Sequence, residues 1–158
     1  MFYVKLRLRS SLNINFNKIN TDRNMIKNLL DDIADDIPAI ERALKLQKKA
    51  ASVGFDWKNS KDIIKKIEEE LAEIQDALNN KLSPDNLSEE LGDLIFSCIN
   101  LARHYQIDPE VALNKTNNKF IKRFNYIEYS LRKRNKLILD ISLEEMDRLW
   151  EEAKKDTI

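Results

Sequence analysis

Five acidic side chains in the middle of the chain are spaced so that two helices would present them in pairs. Glu69, Glu70 and Glu73 lie in KKIEEELAEI, residues 65–74, and Glu90 and Asp93 follow in SEELGDLIF, residues 88–96. Residues three apart share one face of a helix, so Glu70 pairs with Glu73 and Glu90 pairs with Asp93. Two such helices packed antiparallel would bring four carboxylates together.

Four carboxylates in one place need a cation. Two like charges ~4 Å apart repel by roughly 4 kcal/mol at an effective dielectric constant of about 20. Hard divalent cations with oxygen ligands offset this repulsion best, and Mg²⁺ is usually held by a few carboxylates together with substrate phosphates. The residues therefore predict a Mg²⁺-dependent enzyme that acts on phosphates.

The elements that would position these acids are helices. The 158 residues predict one domain, and only 2 glycines and 3 prolines predict long helices with short connections, hence an all-α helical bundle. Capping residues, prolines and apolar spacing predict helices over 22–36, from about Pro38 to Ser52, from after Ser60 to about Asn79, from Pro84 to about Tyr105, from Pro109 to about Arg134, and from Ser142 onward. Gly54 and Asn135 are predicted to end the helices that precede them.

Apolar spacing also predicts which faces are buried. On the third helix the predicted stripe is Ile63, Ile67, Leu71, Ile74 and Leu78, with Glu70 and Glu73 flanking it. On the fourth helix it is Leu87, Leu91, Leu94, Ile95 and Cys98, with Glu90, Asp93 and Ser97 forming a polar strip. Because apolar residues cover most of the circumference of the fourth helix, we expect partners on several sides and a homodimer.

Charge and cysteine content exclude some classes of protein. Lys plus Arg and Asp plus Glu both number 27, so the net charge of zero gives no support for binding to nucleic acid or to a membrane surface. A single cysteine suits a reducing compartment, and the expected localisation is cytoplasmic. Residues 1–21 are basic and lack acids, which predicts an N-terminal arm that is disordered or forms a short strand, with a transit peptide as the alternative.

The acidic pattern also resembles a known family. E-E-x-x-E followed by E-x-x-D is similar to the metal-binding signature of the all-α nucleoside triphosphate pyrophosphohydrolases. Four further blocks resemble successive parts of the catalytic C-terminal half of MazG: DIPAIERALKLQKKAASVGFDW, EELGDLIFSCINLARH, NKFIKRF and LEEMDRLWEEAK. The resemblance implies a MazG-like catalytic helical domain over residues 22–158, with four core helices plus flanking helices. This domain would be either free-standing or separated from an N-terminal half.

The resemblance implies hydrolysis of a nucleoside triphosphate to its monophosphate and pyrophosphate, and it implies site residues. The Mg²⁺ ligands would be Glu70, Glu73, Glu90 and Asp93, and Lys66 and Glu69 would belong to the block that contacts the nucleotide. Lys119 and Arg123 would contact the triphosphate, Trp150 would lie near the nucleotide, and Trp57 would form a wall for the base. Glu69 or Glu73 would accept the proton of the attacking water, and the sequence leaves that choice open.

Two alternative functions remain at this point. A related enzyme could prefer dUTP, dCTP or phosphoribosyl-ATP, although the GFDW and NKFIKRF blocks argue against it. A protein of a different class could be a catalytically weak helical module that binds nucleotides or other proteins, although intact acidic residues argue against that.

Overall fold

The computed structural model describes residues 28–156. Contacts divide the chain into two units, residues 1–32, of which 28–32 are described, and residues 33–158. The described part of the second unit is all-α, as the sequence predicted, and it contains helices α1 (Ala39–Ser52), α2 (Ser60–Asn79), α3 (Pro84–His104), α4 (Pro109–Lys133) and α5 (Leu143–Asp156), with a short 3₁₀ turn at Ile138–Asp140. Among the described residues, no helix is both long and apolar enough to cross a membrane.

Four of these helices begin at a side-chain cap. Asn59 Oδ1 accepts from the backbone N–H of Asp62 at the start of α2, and Ser83 Oγ accepts from Asn86 N at the start of α3. Asp108 caps α4, and Ser142 Oγ accepts from Glu145 N in α5. Each cap satisfies a backbone donor that has no partner within its helix, which fixes the first turn.

Helices α1 to α4 all end in the same way, at a residue with positive φ. These residues are Gly54, Lys81, Gln106 and Asn135, with φ values of 87°, 51°, 56° and 53°. The N–H of the residue that follows each of them returns to a carbonyl in the last turn, as in Leu82 N to Ala77 O at 3.0 Å. Gly54 and Asn135 were predicted as helix ends, whereas Lys81 and Gln106 carry no comparable signal because their side chains disfavour this conformation.

The predicted helix over residues 22–36 is wrong where it can be compared. Residues 22–27 lie outside the described residues, as does the predicted arm over 1–21, and residues 28–38 form turns and bends. The Asp31 carboxylate accepts from the backbone N–H of Asn28 at 2.8 Å, so a side chain competes with helical hydrogen bonding. Pro38 disfavours the helical conformation of the residue before it.

The helices pack as two pairs, and α1 contacts one helix of each pair. Helices α2 and α3 form one antiparallel pair, because Tyr105, at the end of α3, donates from its hydroxyl to Ser60 Oγ, at the start of α2. Helices α4 and α5 form the other pair around Ile127, Leu131 and Leu149. Helix α1 contacts α3 and α4, and Gln47 Nε2 donates to the carbonyl of Phe96 at 2.8 Å.

The buried faces of α2 and α3 differ from the predicted stripes. On α2, Ile63 and Ile74 are buried as predicted, but Leu71 is 57% exposed and Leu78 55% exposed. On α3, Leu91, Ile95 and Cys98 are exposed, whereas Ser97 and Ile99 are buried. Within a single chain, α2 therefore turns Lys66 and Glu70 inward in place of Leu71 and Leu78.

Candidate functional site

Helices α2 and α3 bring three of the predicted acids together. Glu70 of α2 and Glu90 and Asp93 of α3 each offer a carboxylate oxygen, and these oxygens all lie within 4.8 Å of one another. The antiparallel pairing explains the arrangement, because it places the middle of α2 beside the first half of α3. The i, i+3 spacing of Glu90 and Asp93 turns both toward the same partner helix.

Glu70 is the most deeply buried of the three. Its residue is 1% exposed, Glu90 is half-buried and Asp93 is exposed. Glu70 Oε2 has no hydrogen-bond partner among the described residues. An unsatisfied buried carboxylate oxygen is costly, so this atom needs a ligand that residues 28–156 do not supply.

Lys66 supplies the other oxygen of Glu70 with a partner. Its ammonium lies 2.7 Å from Glu70 Oε1 and 2.7 Å from Glu69 Oε1, and the Lys66 side chain is only 7% exposed. Burial acts to lower the pKa of Lys66, but the hydrogen bonds and charges of Glu69 and Glu70 outweigh it and hold this pKa above its usual value. Lys66 therefore remains a cation beside the acidic cluster.

The other two predicted acids lie next to this cluster on α2. Glu73, one turn after Glu70, is half-buried and is not a member of the three-residue group found among the described residues. Glu69 has an exposed side chain that reaches Lys66. The structure thus separates Glu70, which faces α3, from Glu69, which stays at the solvent side.

The acidic cluster fits a hard divalent cation. Its donors are carboxylate oxygens alone, contributed from two helices, and Mg²⁺ prefers oxygen ligands while keeping several positions for water or substrate phosphates. The unpartnered Glu70 Oε2 is the kind of buried atom that a cation would satisfy. Glu90 is half-buried and Asp93 is exposed, so the cluster is open to solvent on the α3 side.

A second group of predicted residues lies on α4 and α5. The guanidinium carbon of Arg123 is 5.5 Å from the ring centre of Trp150, and the Phe120 ring centre is 5.2 Å from it. Arg123 and Trp150 are half-buried, and Lys119 is exposed on the same helix as Arg123. The structure thus brings Arg123 and Trp150 together, on a different helix pair from the acidic cluster.

Trp57, the predicted base wall, lies in the connection between α1 and α2. It is half-buried, and its backbone N–H donates to Asp56 Oδ1 at 2.8 Å. The Asp56 carboxylate also accepts hydrogen bonds from both terminal nitrogens of Arg103, a residue of α3. The distance from Nη1 to Oδ2 is 3.0 Å. The hydrogen bond from Arg103 holds the pKa of Asp56 below its usual value of 3.8, so the connection is tied to α3 by an ion pair.

Comparison with known proteins identifies a domain within the chain. Residues 58–127, which contain the acidic cluster, Lys119 and Arg123, match the model of the MazG nucleotide pyrophosphohydrolase domain. The chain is 42% identical over 118 residues to a nucleoside triphosphate pyrophosphohydrolase/pyrophosphatase MazG from Thermotoga maritima, covering 75% of the chain. Residues 58–127 are therefore a MazG domain.

Two further relatives fit this assignment of a MazG domain. The nucleoside triphosphate pyrophosphohydrolase of Escherichia coli K12 is 39% identical over 130 residues, which cover 82% of the chain. An uncharacterized protein, YabN, from Bacillus subtilis is 46% identical over 127 residues, but the match covers only 26% of that protein. The chain spans about half the length of the two named pyrophosphohydrolases, 45% of the first and 49% of the second.

Sequence analysis missed two ion pairs in the MazG domain. Lys66 was assigned to substrate, yet its spacing of three and four residues from Glu69 and Glu70 is the spacing at which side chains on one helix meet. The Asp56–Arg103 pair joins residues 47 positions apart, and no local pattern in the sequence marks it.

Proposed function

We propose that this MazG domain hydrolyses nucleoside triphosphates to the nucleoside monophosphate and pyrophosphate, using Mg²⁺. Water would attack the α-phosphorus and the bond between the α and β phosphates would break. One observation carries the proposal: the buried Glu70 carboxylate has an oxygen with no hydrogen-bond partner in the described part of the chain, and carboxylates of Glu90 and Asp93 lie within 4.8 Å of its ligating atom. The family match supports the choice of reaction.

The proposed metal ligands are Glu70, Glu90 and Asp93, with Glu73 as the fourth carboxylate. When bound, Mg²⁺ would polarise phosphoryl oxygens and balance the charge that develops on them. Glu69 or Glu73 would accept the proton of the attacking water, since both flank Glu70 on α2. The exposed side chain of Glu69 suits contact with water and substrate.

The proposed substrate contacts combine cations with aromatic rings. Lys66, Lys119 and Arg123 would bind the phosphates, Arg123 through its planar fork and the lysines as point charges. Trp150 and Trp57 would lie beside the nucleoside. The stacking of Arg123 over Trp150 supports a shared role for these two residues, because the ring holds the guanidinium in one orientation.

The proposed assembly is a cytoplasmic homodimer whose catalytic domain spans residues 22–158, with 1–21 as an N-terminal arm. Exposed apolar side chains on both helices of the acidic site support the dimer. On α2, Ile64, Leu71 and Leu78 follow one another at seven-residue intervals, and on α3 Leu91 and Ile95 share a face. A second copy of the chain would bury these stripes. The proposed partners are therefore a nucleotide and a second copy of the chain, with no nucleic acid and no membrane.

The test is pyrophosphate release from a panel of ribo- and deoxyribonucleoside triphosphates, including dUTP and dCTP, with phosphoribosyl-ATP added. We expect activity in the wild type that a chelator removes and that Glu70→Gln and Asp93→Asn each lower by about 100-fold or more, because each removes a ligand charge from the metal. Glu68→Gln, an exposed acid on the same helix, is the matched control and should retain activity.

Each other result of this assay would contradict a stated part of the proposal. Silence of the wild type across the panel, combined with nucleotide binding in a calorimeter, would favour a catalytically weak nucleotide-binding module. If Glu68→Gln lost as much activity as Glu70→Gln, the result would contradict a special role for the buried cluster. A strong preference for dUTP, dCTP or phosphoribosyl-ATP would show that the domain has the substrate specificity of a related enzyme.

A further inference from the structure

Lys66 holds an unusual position among the cations of α2. Its side chain is 7% exposed, and its ammonium contacts Glu69 and Glu70 at the same distance of 2.7 Å. Lys65, its neighbour in sequence, is exposed. A buried ammonium must be paired to be tolerated, and Lys66 is paired with a residue of the acidic cluster itself.

The two oxygens of Glu70 differ in their hydrogen bonding among the described residues. Oε1 receives the Lys66 ammonium, whereas Oε2 has no hydrogen-bond partner among the described residues. Lys66 therefore satisfies one oxygen of a buried carboxylate that also belongs to the cluster formed with Glu90 and Asp93. The Lys66 ammonium is thus a cation in contact with one of the three acids of that cluster.

We propose that Lys66 is a built-in counter-ion of the acidic cluster, which competes with a divalent cation for the negative charge of Glu70 and so weakens metal binding. The inference deepens the proposed function, on which it rests for the identity of the metal. Its physical basis is that two cations beside one carboxylate repel each other, and this repulsion is screened least where water is excluded. Glu70 is such a place.

This arrangement would couple the metal to the substrate. Triphosphate oxygens add negative charge beside the cluster, so they offset the repulsion between Lys66 and the metal. The metal would then bind more tightly in the presence of nucleotide than alone, and the nucleotide more tightly in the presence of metal, since such coupling is reciprocal. Lys66 would thereby favour the loading of metal and substrate together.

The experiment measures Mg²⁺ affinity by calorimetry on chelator-treated protein at pH 8, with no nucleotide present. We expect Lys66→Met to bind Mg²⁺ about tenfold or more tightly than the wild type, because the competing charge is gone while the stem is kept. Lys66→Arg keeps the charge and should bind Mg²⁺ as the wild type does. Lys65→Met removes an exposed charge one residue away and should also leave the affinity unchanged.

The outcomes separate this inference from the proposed function. Unchanged or weaker Mg²⁺ binding in Lys66→Met would overturn the inference, even if the wild type hydrolyses nucleotides. Tighter binding in Lys66→Met and equally in Lys65→Met would also overturn it, because a general charge effect would then suffice. Tighter binding only in Lys66→Met would support it, whether or not the wild type releases pyrophosphate.

A measurement on the wild type covers the case in which Lys66→Met does not fold. Acetic anhydride modifies free amines, and mass spectrometry can compare Lys66 with Lys65 in the same sample. If Mg²⁺ competes with Lys66 for Glu70, the ratio of Lys66 to Lys65 modification should rise severalfold on addition of Mg²⁺. A ratio that Mg²⁺ leaves unchanged or lowers would overturn the inference.

Discussion

Glu70 and Leu149 are equally buried, at 1% exposure, and for different reasons. Leu149 packs against Ile127 and Leu131, and its burial removes apolar surface from water. Glu70 is buried with one oxygen on Lys66 and with the other lacking a hydrogen-bond partner among residues 28–156, an arrangement that costs stability unless a ligand satisfies it. At the scale of single residues, the domain thus keeps its packing centre on α4 and α5 and its acidic cluster on α2 and α3.

A prediction about Leu149 follows from its place in the apolar cluster. Leu149→Ala should lower the free energy of unfolding by about 2–5 kcal/mol, because it removes buried methyl groups and leaves a cavity. Urea unfolding followed by circular dichroism measures this change. Leu139→Ala, at a leucine that is 90% exposed, is the control and should stay within about 0.5 kcal/mol of the wild type. Equal losses at the two positions would contradict the assigned core.

At the scale of elements, several helix boundaries were predictable because capping residues and adjacent prolines mark them locally. Ser83 before Pro84, Asp108 before Pro109, and Ser142 before LEE mark helix starts, and the structure has all three caps. The ends of α2 and α3 at Lys81 and Gln106 lacked such marks. The absence of the predicted helix over residues 28–36 shows that apolar spacing alone does not outweigh clustered aspartates next to a proline.

The faces of α2 and α3 were harder to predict than their ends. Periodicity identifies apolar surface that should be covered, but not which neighbour covers it. The sequence therefore assigned Leu71 and Cys98 to the core, whereas within one chain both are exposed. Glu70, Glu90 and Asp93 meet across the helix pair, whereas Glu73, predicted as the partner of Glu70, is not part of the group found among the described residues. The contact of Glu70 with Lys66 follows from local helical spacing, whereas its position beside α3 required the fold.

The tie between α3 and the α1–α2 connection predicts a dependence of stability on pH. Arg103 holds the pKa of Asp56 below 3.8, so the contribution of Asp56 to stability is present above its unfolded-state pKa of about 3.9. That contribution is lost as the pH falls through the lowered folded-state pKa. Asp56→Asn should therefore be less stable than the wild type at pH 5–8, by about 1 kcal/mol, and the difference should shrink below pH 4.

Thermal unfolding of both proteins between pH 2.5 and pH 8 measures this difference. Arg103→Met provides the matched background, because Asp56 then has no guanidinium to bind. In that background Asp56→Asn should change the melting temperature little at any pH. A pH-independent gap between wild type and Asp56→Asn would contradict the assigned role of the ion pair.

At the scale of the whole molecule, the exposed apolar stripes predict a dimer that a charge can break. The wild type should sediment at twice the 18.6 kDa of one chain at micromolar concentration. Ile95→Lys places a charge in the stripe on α3 and should shift the protein to a monomer, because a buried unpaired charge is costly. Leu139→Lys adds the same charge at another exposed apolar position and should leave the dimer intact.

Analytical ultracentrifugation distinguishes these cases. A monomeric wild type would contradict the proposed dimer, but it would not contradict the proposed role of the acidic cluster. A dimeric Ile95→Lys would place the interface on another face of the molecule. Equal dissociation of Ile95→Lys and Leu139→Lys would show that added charge acts without regard to position.

The pairing of α2 with α3 also bears on how the domain reaches its native state. Glu70, Glu90 and Asp93 lie on consecutive helices joined only by residues 80–83, so the acidic cluster depends on contacts between residues that are close in sequence. Short loops close quickly, and chains rich in local contacts fold fast. The cluster should therefore assemble early, when α2 and α3 first meet. A folding nucleus and the proposed reaction centre would then be the same helical hairpin.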